Sequence, residues 1–421
     1  MRHYKHTHRG SVYLVVLSTT MLVTSLALLG VEAQRGTARS VELQISSAKT
    51  RALAQTALEL ALQTLNDQDW RDDLSSGDVV VSLEDGAGNA YKVTVTDPVD
   101  GDLSDDEWDS VELRIKAGSG DASQAFSTRL QPTSIADAAL SYGMFAGGMI
   151  EFNSVTFNST RAVYALGNVT ALRSSVYGGV GTAGVLTGAT FFGATRQGLA
   201  TEKATDETVI DPWKARATVI DYTDIPSRQI RNVPSRQIRN VAIGPGVNPY
   251  GSKTTNPSGI YAIDCNGGNL DITNCRIVGT LIVTNCAALR ITGSVSIQAP
   301  SESQPTLLTN AHTEISMSNI DLSELTSLTN FNPSGAANGA ITDIDILDAY
   351  PSRINGIVYT SSTLQLGGTS RLVGVVIAGG DIKVTSNVGL SYNSAFAANP
   401  PEGFKSPGPL AVTSGSVSST R

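Results

Sequence analysis

The first strong pattern along the chain is an apolar stretch over residues 11–31, which contains no charged residue. About twenty apolar residues in an α-helix cross the roughly 30 Å hydrocarbon core of a bilayer, so this stretch predicts a transmembrane helix. Residues 1–10 precede it with Arg2, Lys5 and Arg9 and no acid. Basic residues before a span favour a cytoplasmic N-terminus, so we interpret 1–10 as a cytoplasmic leader and expect the rest to be exported.

The helical pattern continues beyond the apolar stretch, over residues 32–66. Small and apolar residues recur there at steps of three and four, which places them on one face of an amphipathic helix. These residues are Ala38, Val41, Ile45, Ala48 and Ala52. No proline occurs before Pro98, so we expect one helix of roughly 80 Å over residues 12–65. The alternative is a signal peptide that is cleaved after Ala33.

Residues 78–131 alternate between apolar and polar positions, which is the period of a half-buried strand. Residues 79–83 and 91–95 flank a glycine-rich turn and predict a β-hairpin. Two further strands are expected at 111–115 and 125–130. The prediction is a small antiparallel sheet that packs against the helix.

From about residue 134 the chain becomes rich in Gly, Ser, Thr, Asn and β-branched residues. Residues 356–359 are echoed at 374–377, and a repeat of about twenty residues with short strands is typical of one β-helix rung. We therefore expect a mainly β protein in which 134–404 form a right-handed parallel β-helix, with a β-sandwich as the alternative. Loop insertions are predicted at 196–259 and 299–353, and the Ser/Gly/Pro-rich tail at 405–421 is predicted to be disordered.

Composition narrows the range of functions. The formal net charge is −8, which argues against nucleic acid as a partner because phosphate binding needs a basic face. The three cysteines, Cys265, Cys275 and Cys286, have no metal-binding spacing. Cys265 and Cys286 lie about one rung apart, so they either form a disulfide outside the cytoplasm or remain buried thiols.

An acidic loop between the second and third predicted strands is the candidate metal site. It contains Asp100, Asp102, Asp105 and Asp106, and carboxylate oxygens are the ligands that Ca²⁺ prefers. The loop lacks the central glycine and final glutamate of an EF-hand. A solvated acidic loop is therefore the alternative, and no other cofactor is expected.

Many β-helices act on polysaccharides, a chemistry that needs paired carboxylates and basic residues for the sugar acid. The candidate residues are Asp264, Asp271, Asp343, Asp345, Arg276, Arg290 and Arg371. We expect Asp343 and Asp345 to share one strand face. None of these residues forms a known catalytic motif, and paired aspartates in a turn-rich chain more often cap turns. The sequence is therefore interpreted as non-catalytic.

An exact tandem octapeptide, PSRQIRNV, covers residues 226–233 and 234–241. Eight added residues inside a rung would shift its register, so a surface loop is the expected location. The repeat contains Arg228, Arg231, Arg236 and Arg239. These arginines form either a basic patch for an anionic surface glycan or a solvated loop face.

The N-terminal 65 residues resemble the N-terminal helix of PilX-type minor pilins and K-type pseudopilins. The resemblance rests on Arg9-Gly10 before a long apolar helix and on the alanine-rich segment that includes Gln55, Ala57, Leu58, Glu59, Ala61 and Leu62. In that family a prepilin peptidase cuts after the glycine, which implies processing between Gly10 and Ser11. Most type IV pilins have Glu at the fifth mature position, where this chain has Val15.

Residues 354–404 also resemble the C-terminal region of PilX-containing envelope proteins. The matching positions are Gly356, Leu364, Leu366, Gly374, Gly379, Gly380, Ile382, Val384 and Asn387. Together the resemblances imply a structural component of a type IV pilus or type II secretion-like assembly in the bacterial inner membrane. Its partners would be membrane lipid and other pilins or pseudopilins. The alternatives are an anchored carbohydrate-binding or adhesive β-helix and, third, a secreted polysaccharide-active enzyme.

Overall fold

The computed structural model describes residues 9–67, 70–86, 88–120, 122–230, 233–333 and 342–420. The chain divides into two compact units, one of Met1–Ser134 with Pro407–Arg421 and the other of Ile135–Ser406. The predicted fold class is confirmed: a long N-terminal helix and a small antiparallel sheet precede a large, mostly parallel sheet. Of the predicted basic leader, residues 1–8 lie outside the described residues.

The N-terminal helix, Arg9–Asp67, has 59 residues and is therefore roughly 88 Å long at about 1.5 Å per residue. The hydroxyl groups inside its apolar half bond to the helix itself. Thr20 Oγ1 donates to the Val16 carbonyl over 2.7 Å, and Ser25 Oγ donates to the Met21 carbonyl over 2.8 Å. Because hydroxyls bonded in this way need no water, they are compatible with a lipid environment.

The C-terminal part of this helix packs on the small sheet. Ala54, Ala57, Ala61 and Leu65 of the helix are buried in one apolar cluster with the strand residues Val93, Val95, Leu113 and Ile115. The predicted strands are all present, as Val79–Glu84, Asn89–Thr96, Val111–Ser119 and Ala122–Ala136. They pair in sequence order, each antiparallel to the next.

The tail is not disordered as predicted. Strands Lys405–Val412 and Ser418–Thr420 both pair with the long strand Ala122–Ala136. Leu410 joins the apolar cluster, and its N–H donates to Asn66 Oδ1 over 2.7 Å. The composition of the tail is typical of disorder, but the free edge of a 15-residue strand offers it backbone hydrogen bonds.

The larger unit is a stack of rungs, and each full rung supplies one strand to each of three parallel columns. The first column contains Thr218–Val219, Ile260–Asp264, Thr280–Thr284, Leu307–Thr309, the second halves of Arg353–Thr360 and Arg371–Ala378, Met144–Ala146, Val163–Ala165, Val180–Thr182 and Thr195–Arg196. The second contains Val233–Arg239, Asn269–Thr273, Ala288–Gly293, Thr313–Met317, Leu364–Gly368, Ile382–Val384, Ile150–Asn153, Val169–Tyr177 and Leu186–Phe191. The third contains Ala242–Ile243, Arg276–Val278, Ser296–Gln298, the first halves of the two long strands, Gly389–Ser391 and Thr156–Ser159.

Inward side chains of successive rungs stack in register and form the core. One such line consists of Ile238, Ile272, Ile291, Ile315, Leu366, Val384 and Phe152, all fully buried. The stacking order differs from the sequence order, because Met144–Ala146 pairs with Arg371–Ala378, a strand of the last rung in sequence. The first rung in sequence therefore lies on the last one.

The predicted insertion at 196–259 is wrong in its extent. Thr218–Val219 and Val233–Arg239 pair in parallel with rung strands, so the part of this region from Thr218 on contributes strands to the stack. The segment before it, residues 199–217, packs along the outside of the first column. Its Val209, Ile210 and Trp213 are buried against outward residues of that column, including Tyr359 and Ile282.

The second predicted insertion, 299–353, is also shorter than expected. Leu307–Thr309 and Thr313–Met317 are rung strands, so the insertion begins after Met317. A short helix, Glu324–Ser327, lies within this insertion. Strand patterns of three to five residues are too short to be separated from loops by periodicity alone.

The two copies of the octapeptide have different roles. Ser227–Ile230 from the first copy pairs antiparallel with Val233–Arg239, most of which belongs to the second copy. The second copy also pairs in parallel with Asn269–Thr273, so it is a rung strand and not a surface loop. The first copy thus covers the outer edge of the terminal rung, an edge that would otherwise be open to pairing with another chain.

Candidate functional site

The predicted assembly face of the N-terminal helix is exposed. Ala38, Val41, Ile45, Ala48 and Ala52 are all exposed, with Val41 and Ile45 at 50% and 52%. At about 100° per residue, their mean direction lies about 180° from that of Ala54, Ala57, Ala61 and Leu65, which pack on the sheet. The helix therefore packs an apolar face on its own sheet over residues 54–65, and it leaves an apolar face of the opposite direction uncovered over residues 38–52.

The apolar half of the helix makes no contact that would bury it. Within the described residues, the helix is the one element that is long and apolar enough to cross a membrane, and the apolar window in it is entirely unburied. Large side chains such as Leu14, Leu22 and Leu29 are more than 60% exposed. A patch of this size is unstable in water, so it requires lipid or protein around it.

The predicted processing position lies at the start of this helix. Gly10 and Ser11 belong to its first turn, since the helix begins at Arg9. Val15, which stands where most type IV pilins have Glu, is 59% exposed. Because valine is uncharged, this position offers no charge with which a neighbouring chain would pair.

The acidic loop brings together a set of carboxylates that differs from the predicted one. One carboxylate oxygen each from Asp97, Asp100, Asp105 and Asp109 lies within 4.8 Å of the others. Two predicted residues, Asp100 and Asp105, belong to this set. Asp102 and Asp106 were predicted as well, but they cap turns.

The turn-capping bonds of those two residues are well formed. Asp102 Oδ1 accepts the Ser104 N–H over 3.0 Å, and Asp106 Oδ1 accepts the Trp108 N–H over 2.8 Å. Hydrogen bonds from Ser104 lower the pKa of Asp102, because they stabilise its ionised form. Asp100 also caps a turn, because its Oδ1 accepts the Asp102 N–H over 2.9 Å, but it belongs to the converging set of carboxylates, and Asp102 and Asp106 do not.

The candidate carboxylates are engaged in separate local contacts. Asp343 and Asp345 lie in irregular chain and share no strand face; Asp345 Oδ1 caps a turn by accepting the Leu347 N–H over 2.9 Å. Asp264 Oδ1 likewise accepts the Asn266 N–H over 2.9 Å. Asp271 lies in the second column, 4.0 Å from Arg290. Local turn geometry accounts for two of these four carboxylates, Asp264 and Asp345.

The candidate basic residues are also separated. Arg290 lies between Asp271 and Glu314, 3.5 Å from the latter, in a surface ladder of alternating charge. Arg371 is exposed. Arg276 is only 4% exposed and lies beneath the insertion after Met317, so it is inaccessible to a sugar acid.

Arg276 belongs to a buried polar cluster that the sequence did not reveal. It donates to the Phe331 carbonyl over 3.1 Å and stacks on Tyr350, 4.1 Å from the ring centroid. Glu324 is fully buried and accepts the N–H groups of Phe331 and Asp348 over 2.6 and 3.2 Å. Burial lowers the pKa of Arg276, and the surrounding Tyr350, Glu324 and Asp348 oppose that shift. The cluster fixes the insertion to the rung stack.

The described arginines of the tandem repeat lie on one hairpin, formed by Ser227–Ile230 and Val233–Arg239. Arg236 donates to the carbonyls of Thr223 and Ile225, and Arg228 donates to Gln237 over 2.8 Å. Arg239 is exposed, and Arg231 lies outside the described residues. The glycan-binding role of these arginines stays a prediction.

Two of the cysteines form a disulfide. Cys265 and Cys286 join neighbouring rungs, with their Cα atoms 4.8 Å apart. Cys275 is a buried free thiol, and burial raises its pKa well above the ordinary value. A structural disulfide is typical of proteins outside the reducing cytoplasm.

No protein-family model matches the chain, and no curated protein matches it. Among solved structures, the chain is similar to the competence-associated pilin ComZ from Thermus thermophilus, with 12% identity and a TM-score of 0.28 over 89% of this chain and 97% of that one. It is also similar to an ice-binding protein from the Antarctic ascomycete Antarctomyces psychrotrophicus, with 10% identity and a TM-score of 0.26 over 61% and 98% of the two chains. An ice-binding protein from an Antarctic biological consortium has 12% identity and a TM-score of 0.26 over 62% and 91%. Similarity at this level carries no argument about function.

Proposed function

We propose that this chain is a non-catalytic structural subunit of the minor-pilin or pseudopilin type, anchored in the bacterial inner membrane and acting in a type IV pilus or type II secretion-like assembly. The observation that carries the proposal is the helix with two opposite apolar faces. One face is covered by the chain's own sheet, and the other is uncovered. An uncovered stripe of small and β-branched residues suits packing against other helices.

The proposed orientation rests on the basic residues before the membrane span and on the disulfide in the larger unit. Arg2, Lys5 and Arg9 precede the span, which favours a cytoplasmic N-terminus by the positive-inside rule. The Cys265–Cys286 disulfide lies in the part of the chain that would then be periplasmic or extracellular, where such bonds persist. The two features agree on one topology.

The proposal is tested by cysteine cross-linking in membranes. Ile45→Cys places a thiol on the proposed assembly face, whereas Leu43→Cys places one on the other side of the helix. The two positions are closely matched, because Ile45 is 52% and Leu43 58% exposed. The native cysteines do not interfere, since two form a disulfide and Cys275 is buried.

We expect oxidation to cross-link Ile45→Cys to a helix of a partner pilin or of a second copy, and to leave Leu43→Cys mainly uncross-linked. Equal cross-linking of both variants would mean that the helix has no preferred face. Absence of any product from Ile45→Cys in membranes that contain the complete assembly would contradict the proposed function.

A further inference from the structure

The acidic loop of the smaller unit, residues 97–109, lies between two neighbouring strands of the small sheet. Thr96 at the end of one strand pairs with Glu112 near the start of the next. This pairing brings Asp97 and Asp109 together from the two ends of the loop, and Asp100 and Asp105 join them from within it. One oxygen from each of the four lies within 4.8 Å of the others.

Asp97 differs from an ordinary surface carboxylate. It is only 8% exposed, and its Oδ1 accepts the Val99 N–H over 2.6 Å. Its Oδ2 is buried and has no hydrogen-bond partner among the described residues. A buried carboxylate oxygen without a partner is unfavourable, and a bound cation is one way in which proteins satisfy such an oxygen.

One cation of the chain, Arg71, lies at this loop, and its hydrogen bonds go to the backbone. Arg71 donates to the backbone carbonyls of Leu103 and Asp109, over 3.0 and 2.7 Å. It therefore holds both sides of the loop in place through the backbone. The guanidinium stacks on Trp70, which is buried in the core of the unit, so the loop is fixed to a rigid part of the fold.

The electrostatics of the four carboxylates are consistent with a missing positive charge. Carboxylates this close together repel each other when all are ionised.

We propose that this loop binds one divalent cation of the calcium type through Asp97, Asp100, Asp105 and Asp109, a role that goes beyond the proposed structural function. The set offers only oxygen ligands and no imidazole or thiolate, which favours Ca²⁺ over zinc or copper. Two of the four ligands are exposed, so water completes the coordination shell. A site of this kind binds calcium with a Kd of roughly 10⁻⁴–10⁻³ M, as other extracellular modules do.

The test uses the full chain in detergent, stripped with EGTA and titrated with CaCl₂ by isothermal calorimetry. Terbium luminescence is a second readout, because Trp108 directly precedes Asp109 in the sequence. Asp100→Asn and Asp105→Asn remove exposed ligands and should each weaken binding at least tenfold. Asp97→Asn tests the buried ligand. The matched controls are Asp102→Asn and Asp106→Asn, which keep a turn-capping oxygen and should change the affinity by less than about threefold.

Saturable one-site binding with this pattern of variants supports the proposal. No saturable binding at 10 mM free calcium would overturn it. It would also be overturned if the control variants lost as much affinity as the ligand variants, or if zinc bound more tightly at the same residues. None of these outcomes depends on cross-linking of the helix face.

Discussion

Gly374 tests whether the rungs approach each other as closely as the stack requires. It lies at a corner of the strand Arg371–Ala378, directly in register with Gly356 of the neighbouring rung. Its φ is +128°, and a Cβ at this position would lie 2.1 Å from the Gly356 carbonyl oxygen. Gly374→Ala therefore introduces both backbone strain and a steric clash.

The expected loss follows from these two effects. A non-glycine residue at such a φ costs about 1–3 kcal/mol. Relief of the clash requires the rungs to separate locally, and overpacking of this kind costs a further 1–3 kcal/mol or so. We expect the free energy of unfolding to fall by about 3–5 kcal/mol. For a unit of this size, the melting temperature should then fall by roughly 6–10 °C.

The assay is differential scanning calorimetry of the full chain in detergent, following the transition of the larger unit. Gly389→Ala is the matched control, because it lies in the same stack and its Cβ would meet no atom within 4 Å. It should change the free energy of unfolding by less than about 1 kcal/mol. If Gly374→Ala melted within 1–2 °C of Gly389→Ala, the close approach of the rungs would be refuted.

Three further predictions concern the bonds and charges described above. Cys286→Ser opens the bridge to Cys265, which is 21 residues away; unfolding calorimetry should show a loss of about 3 kcal/mol, and reductant should not destabilise the variant further. Glu324→Ala leaves two buried N–H donors unpaired, so we expect a loss of about 3–5 kcal/mol and faster proteolysis after Met317; unchanged proteolysis would contradict the role of the cluster. In EGTA, the smaller unit should lose stability as the pH rises through the titration of Asp105 and Asp109, because their raised pKa values mean that the folded state binds these protons more tightly. Calcium should remove that pH dependence. A melting temperature that rises with pH in EGTA would contradict the predicted loss of stability.

Local periodicity predicted those parts of the fold that local contacts determine. The helix at Arg9–Asp67 and the four antiparallel strands followed from steps of three to four and of two along the chain. The echo of Gly356 in Gly374 correctly indicated rungs in register. In each case the pattern lies within one element or between adjacent ones, so the sequence order carries the information.

Non-local pairings could not be predicted in this way. No local pattern indicates that Met144–Ala146 stacks on the last rung, since its strand would fit any rung of similar shape. The tail strand Lys405–Val412 pairs with a strand far away in sequence. The Ser/Gly/Pro-rich composition of the tail predicted disorder, because composition indicates how flexible an isolated segment is. It does not indicate whether the edge of another strand is available for pairing.

The acidic loop shows how close the sequence came to the candidate metal site. Spacing within the loop selected Asp102 and Asp106, which cap turns, and missed Asp97 and Asp109 at the two strand ends. The sequence did contain a signal for Asp97 and Asp109. Residues that flank a loop between paired antiparallel strands must lie close together, so acidic residues at both ends are the stronger indication.

The most direct test of the anchored helix is the N-terminus of the mature protein recovered from membranes, determined by Edman sequencing and intact mass. We predict a chain that retains residues 12–31 and begins at Ser11, or at Met1 if the leader is not removed. A mature chain that begins at Gln34 and is recovered in the soluble fraction would contradict a retained membrane helix and, with it, the proposed assembly.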